Sequence, residues 1–139
     1  DFLNHMQLSS GSHCVFNLKA HLIFVVAYRR KVISSTILER LKEFFSEVCR
    51  RVRVRLMECS GEEDHVHLLI SYPPTTCLSN LVRKLKTISS LKIRQEFSNR
   101  IRRMLWGKRF WTKSYCVISV VDGATTAINE RYIKNQRPD

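Results

Sequence analysis

The sequence predicts an α+β fold: a ferredoxin-like, RRM-like β-α-β-β-α-β antiparallel sheet with two helices on one face, plus a C-terminal helix. Three observations carry this. Apolar residues alternate in "VFNLKAHLIFVV" and "HVHLLIS", as a strand with one buried face requires. They recur at helical spacing over 34–51 and 78–97, as amphipathic helices require. The chain has 139 residues, 44% of them hydrophobic, which is enough for one core and too little for two.

The first strand spans Val15 to Val26. Phe16, Leu18, Ala20, Leu22 and Phe24 fall on one face, and Asn17, Lys19 and His21 on the other. "YRRKV" leaves the sheet. The first helix buries Ile37, Leu38, Leu41, Phe44, Phe45, Val48 and Cys49, and Thr36 with Glu39 reads as a capping box. In "VRVRLMECS", Val52, Val54 and Leu56 alternate with Arg53 and Arg55, a second strand. "GEED" turns the chain, and the third strand opens at His65. Val66, Leu68 and Ile70 point to the core; His65, His67 and Leu69 point away. "PPTT" ends it, because proline cannot continue a central ladder.

The second helix, 78–97, has the apolar stripe Leu78, Leu81, Val82, Leu85 and Ile88, with a basic opposite face. A basic connector leads to a fourth strand in "FWTKSYCVISVV". Asp122 and Gly123 break the chain, and "ATTAINERYIKNQ" forms the last helix. Residues 1–14 are expected to be a flexible lead, and 15–139 one domain. In this topology the first and third strands are central neighbours. His65 and His67 therefore stand beside Asn17, Lys19 and His21 on the face the helices leave open.

Charge narrows the function. There are 24 Lys and Arg against 12 Asp and Glu, a net +12. From Leu81 to Phe110 there are ten basic residues and a single acid, Glu96. Clustering of this kind is the electrostatic footprint of a polyanion binder, and Arg83, Lys84, Lys86, Arg102 and Arg103 are expected to meet a nucleic-acid backbone. The five cysteines are odd in number and form no CxxC pair. That argues against a disulfide framework or zinc knuckle and for reduced, mostly buried thiols. No apolar run approaches the roughly 20 residues of a membrane helix, and the N-terminus lacks a signal-peptide layout, so a soluble, cytoplasmic protein without a membrane partner is expected.

The chemistry centres on His65 and His67. Alternation puts both on one strand face, close enough to share a metal ion. Taken alone, the pair fits two polar surface residues as well as two ligands, and its nitrogens would suit zinc as readily as other metals. A His-triad hydrolase would need a third alternating histidine, where Leu69 stands. The last helix offers more. Tyr132 and Gln136 are one turn apart and share a face. The Gln136 carbonyl can coordinate a metal, and a nearby cation favours the Tyr132 phenolate over the neutral phenol. Nucleophile, Lewis acid and polyanion surface together point to phosphoryl transfer on nucleic acid through a phosphotyrosine.

"YRRKV", "DHVHLL", "RQEF", "WTKSYCVIS" and "RYIKNQ" resemble, in order, the landmarks of the small single-tyrosine transposases of the insertion-sequence 200/605 family. Their HUH motif matches His65-Val66-His67, and their Tyr-x-x-x-Gln helix matches Tyr132 to Gln136. The resemblance implies an enzyme that cleaves and rejoins single-stranded DNA at hairpin-bearing transposon ends. The tyrosine becomes joined to the 5′ phosphate, and a 3′ hydroxyl is set free. It implies His65, His67 and Gln136 as ligands of Mg2+ or Mn2+, and Tyr132 as nucleophile. It also implies a homodimer in which one subunit's tyrosine helix can complete the other's site, and work in a prokaryotic cytoplasm, beside the nucleoid. The hinge departs from the family's paired glycines: it reads "VDGA".

His21 and Asn129 could support this site from a second shell, or serve as ordinary polar residues. Trp106 and Trp111 could stack on bases, but packing is the first expectation for both. Tyr28, Tyr72 and Tyr115 are expected to be structural. A non-catalytic RRM-like domain is the main alternative, and it would want aromatics on the open face of the central strands. A related single-copy, palindrome-associated tyrosine transposase, or a decayed copy that binds without cutting, would share most of these features.

Overall fold

A computed structural model describes residues 8–10, 14–107, 109–120 and 134. Two short strands, β1 (Ser9–Ser10) and β2 (Val15–Phe16), pair antiparallel as a ladder of their own. Part of the expected flexible lead is thus paired, and the main sheet begins later than predicted, with β3 (Lys19–Val25). Its alternation is as expected: Ala20, Leu22 and Phe24 are fully buried, while Lys19, His21, Ile23 and Val25 are half-buried.

Helix α1 (Ser35–Arg51) buries Ile37, Leu41, Phe44, Phe45, Val48 and Cys49. Its cap is Ser34, whose hydroxyl accepts from the Ile37 amide at 3.3 Å, so the hydroxyl one residue ahead of the helix takes the role expected of Thr36. Arg53 has a left-handed φ of 61°. That turn delays β4 (Arg55–Glu62), and the register slips between Leu56 and Glu58, a bulge that simple alternation does not reveal. Strand β5 (His65–Ser71) follows after a tight turn.

Helix α2 (Leu78–Glu96) ends at Phe97, and the expected basic connector holds a further short helix, α3 (Ser98–Met104), anchored by buried Ile101. Strand β6 (Cys116–Ser119) is shorter than the predicted fourth strand, of which Trp111 contributes only an isolated bridge to Val26. The sheet order is β4-β5-β3-β6, antiparallel throughout. In terms of the four long-predicted strands this is the ferredoxin-like order, with the first and third in the middle. The predicted last helix, with Asn129, Tyr132 and Gln136, lies outside the described residues. No described helix is long and apolar enough to cross a membrane.

Helices α1 and α2 cover one sheet face, joining Ala20, Leu22, Phe24, Val66, Leu68 and Ile70 in one core. Trp111 packs there against Phe24 and Phe110, and its indole N–H donates to buried Ser89 at 3.0 Å. Packing is thus correct for Trp111. Of the cysteines, only Cys49 is buried; Cys59 is half-buried and Cys14, Cys77 and Cys116 are exposed, which corrects the expectation of mostly buried thiols.

Candidate active site on the open sheet face

Gly61, near the end of β4, sets the start of β5. A Cβ at this position would lie 2.6 Å from the His65 carbonyl oxygen and 3.2 Å from Val66, closer than real side chains come, so only glycine lets the two strands meet here. Glu63 and Asp64 make the turn, and His65 pairs with Glu62 across it. Alternation then turns Val66, Leu68 and Ile70 into the core and leaves His65 and His67 half-buried on the open face.

Each histidine has a defined neighbour. The His65 Nδ1 and an Asp64 carboxylate oxygen are 2.8 Å apart. Arg29 approaches the same carboxylate at 3.3 Å. The hydrogen bond to His65 is the main cause holding the Asp64 carboxyl below the usual carboxylate range; burial opposes it, and Arg29 adds to it. A carboxylate accepting from Nδ1–H fixes the tautomer that leaves Nε2 free as a ligand.

His67 faces β3. Its partner across the ladder is Ile23, and the diagonal neighbour His21 brings Nδ1 to 2.7 Å from the His67 Nε2. The two rings lie 16° from parallel with centroids 4.7 Å apart. Two ring nitrogens so spaced share one proton, one donating and the other accepting, which fixes the orientation of the His67 ring. Among the described residues the group able to hold a cation is Glu62, Asp64 and His65, whose donor atoms lie within 4.8 Å of one another; His67 is not in it. The two carboxylates and one imidazole of that group suit a divalent metal. Sequence reasoning assigned no role to Glu62, although "GEED" placed it one turn from His65.

Other expected residues are spread more widely. Arg83 and Lys84 are exposed on α2, on the helix side of the sheet, and Arg102 and Arg103 are exposed on α3. Lys86 is differently employed. Its ammonium donates to the carbonyls of Thr112, Lys113 and Ser114, and desolvation first, then Arg109, lowers its pKa. It ties a loop to a helix. The open face of the central strands presents Lys19, His21, Ile23, Val25, His65, His67, Leu69 and Ser71, with none of the aromatics an RRM would use there.

A ferredoxin-like sheet with a histidine pair on its open face and a basic surface defines a class of nucleic-acid-processing domains. The sequence profile of the family "Transposase IS200 like" matches residues 14–136. The chain belongs to that IS200-like transposase family. It is similar to the ISDra2 transposase TnpA of Deinococcus radiodurans, with 28% identity over 94% of this chain and 92% of that protein. It is 30% identical to the transposase for insertion sequence element IS200 of Salmonella typhimurium, over 91% of this chain and 82% of that one. Among solved structures, a D. radiodurans R1 protein described as a candidate transposase superposes with a TM-score of 0.74 at 28% identity, covering 94% of this chain and 99% of the other. A REP-associated tyrosine transposase bound to a REP hairpin shares the fold, with a TM-score of 0.59 at 13% identity over 90% of this chain and 70% of that one.

Proposed function

We propose that this transposase cleaves and rejoins single-stranded DNA at hairpin-bearing transposon ends through a 5′-phosphotyrosine. The observation that carries the reading is the ordered histidine pair on the open face: His65 oriented by Asp64, and His67 abutted by His21. His65, His67 and Gln136 would hold Mg2+ or Mn2+, with His21 as the neighbour that orients His67. Bound there, the metal supplies Lewis-acid polarisation of a phosphoryl oxygen.

The chain's own residues do the rest. The Tyr132 phenolic oxygen attacks the scissile phosphorus as its proton passes to solvent. The bond from phosphorus to the 3′ oxygen breaks, and that oxygen takes up a proton as a free hydroxyl. A 3′ hydroxyl later attacks the phosphotyrosine and returns the phenol, so joining needs no external energy. Exposed Arg102 and Arg103, with Arg83, Lys84 and Lys86, would contact the DNA backbone, and Asn129 would support Tyr132. A homodimer fits β6, an edge strand of the described sheet with exposed Val117 and Ile118, because sheet edges invite pairing. Its place is the cytoplasm, beside the nucleoid.

The test uses labelled hairpin-bearing single strands taken from the flanks of the element, with and without Mg2+ or Mn2+, resolved on a denaturing gel. A covalent protein–DNA band that needs metal and vanishes in Tyr132→Phe is the expected result. Cleavage that survives Tyr132→Phe, or that never occurs on single strands, overturns the reading.

A further inference from the structure

Trp106 and Tyr28 leave the core altogether. Trp106 is 85% exposed and Tyr28 81%, against the packing expected of the first and the structural role expected of the second. Single exposed rings are common, but two on segments bonded to each other make a candidate interaction patch.

Three contacts bind their two segments together. The Ala27 amide donates to the Phe110 carbonyl at 2.8 Å. Arg100 Nε donates to the Val32 carbonyl at 2.9 Å. The Arg30 guanidinium lies over the Trp106 ring, 5.2 Å from its centroid. The same stretch reaches the candidate active site: the Val26 amide donates to the Asp64 carbonyl at 2.8 Å, and Arg29 pairs with the Asp64 carboxylate.

The backbone is held in a costly shape to present this surface. Tyr28 and Arg29 have successive left-handed φ values of 57° and 53°. Side chains other than Asn, Asp and Gly rarely adopt that region, and consecutive examples persist only where the surroundings enforce them. Charge identifies the occupant. Residues 27–33 and 98–111 contain Arg29, Arg30, Lys31, Arg100, Arg102, Arg103, Lys108 and Arg109 and no acid. Flat rings set among arginines match a strand that offers both bases and phosphates.

We propose that Tyr28 and Trp106, with Arg30 over the indole, form a stacking surface for unpaired bases of the single strand that enters or leaves the His65–His67 site. This rests on the function proposed above and adds the surface that grips bases rather than phosphates. The chain has two tryptophans; Trp111 is 3% exposed, so Trp106 is the one a ligand can quench.

The experiment titrates the full chain, without metal, with a short oligothymidylate and with an abasic oligonucleotide of equal length. Oligothymidylate should quench Trp106 emission, and the abasic strand should not. Trp106→Ala and Tyr28→Asn should each weaken oligothymidylate binding by about fivefold to a hundredfold and leave abasic binding unchanged. Asn tolerates the left-handed backbone, so Tyr28→Asn removes the ring and keeps the turn. Trp106→Phe should retain most of the affinity. Equal losses for both strands, no loss for either, or a change in oligomeric state on sedimentation would overturn the platform, the last by assigning the surface to a second copy of the chain. The assay involves no cleavage. If a metal-dependent covalent band forms while base-dependent binding is absent, only the platform falls. If stacking holds and no band ever forms, the platform stands and the proposed cleavage falls.

Discussion

On β5, Val66, Leu68 and Ile70 are sealed beneath the helices, while His65, His67 and Leu69, each one residue away, stand half-open on the other side. The same division runs along β3, where Leu22 is fully buried and His21 meets His67. A period of two lets one strand carry folding on one side and chemistry on the other. Substitutions on the two sides should therefore fail in different ways.

Phe45→Ala should give the largest effect. The ring is fully buried and packs edge-on to Phe24 at 6.0 Å, and its loss should cost about 3–5 kcal/mol of stability. Denaturant unfolding measures this; cleavage per folded molecule should stay near wild type, and a selective loss of cleavage would break the comparison. His67→Ala should do the reverse. Cleavage should fall by about a hundredfold or more, at the upper end of what even supporting residues of metal sites contribute, while unfolding shifts by less than about 1.5 kcal/mol. A large destabilisation with cleavage intact would show the histidine to be a packing residue.

Gly61→Ala tests the border between the faces. The added methyl meets the His65 carbonyl, so a stability loss of about 1–3 kcal/mol should accompany weakened metal binding, read by calorimetry on the same variant. Unchanged metal affinity would mean that the His65 backbone does not set the ligand position.

Thiol labelling gives the smallest effect. Burial pushes the Cys49 thiol up to about 12, and that of Cys59 to about 11. Hydrogen bonding from Ser79 lowers that of exposed Cys77. Only the thiolate reacts, so alkylation at neutral pH should mark Cys77 early and Cys49 last. Raising the pH to about 9 should leave Cys49 protonated and protected. Mass spectrometry of the labelled peptides reads the order, and rapid modification of Cys49 would show that the helix-covered face opens.

The sheet was legible because "AHLIFV" and "HVHLLIS" each have one apolar side, and one-sided burial leaves its period in the residues. The family landmarks were legible for a different reason: they are short motifs in a fixed order along the chain, of which only "DHVHLL" falls on one of these strands. The bulge at Met57 was hidden because Val52, Val54 and Leu56 keep the alternation up to the point where Arg53 has already turned the backbone. Helix α3 was hidden because three arginines in seven residues mask a segment anchored by Ile101. Trp106 and Trp111 have the same side chain five residues apart. One is core and the other surface because tertiary placement, not residue type, decides. The pairing of His21 with His67 needed the strand register, which no single segment encodes.

Lys86 links the two layers. Its three carbonyl acceptors lie in the loop that feeds β6, and β6 in turn borders His21 through the pairing of His21 with Ile118. The ammonium works as a rivet driven from the helix layer into the sheet's edge. The helix layer thus fixes where the strand flanking the histidines begins.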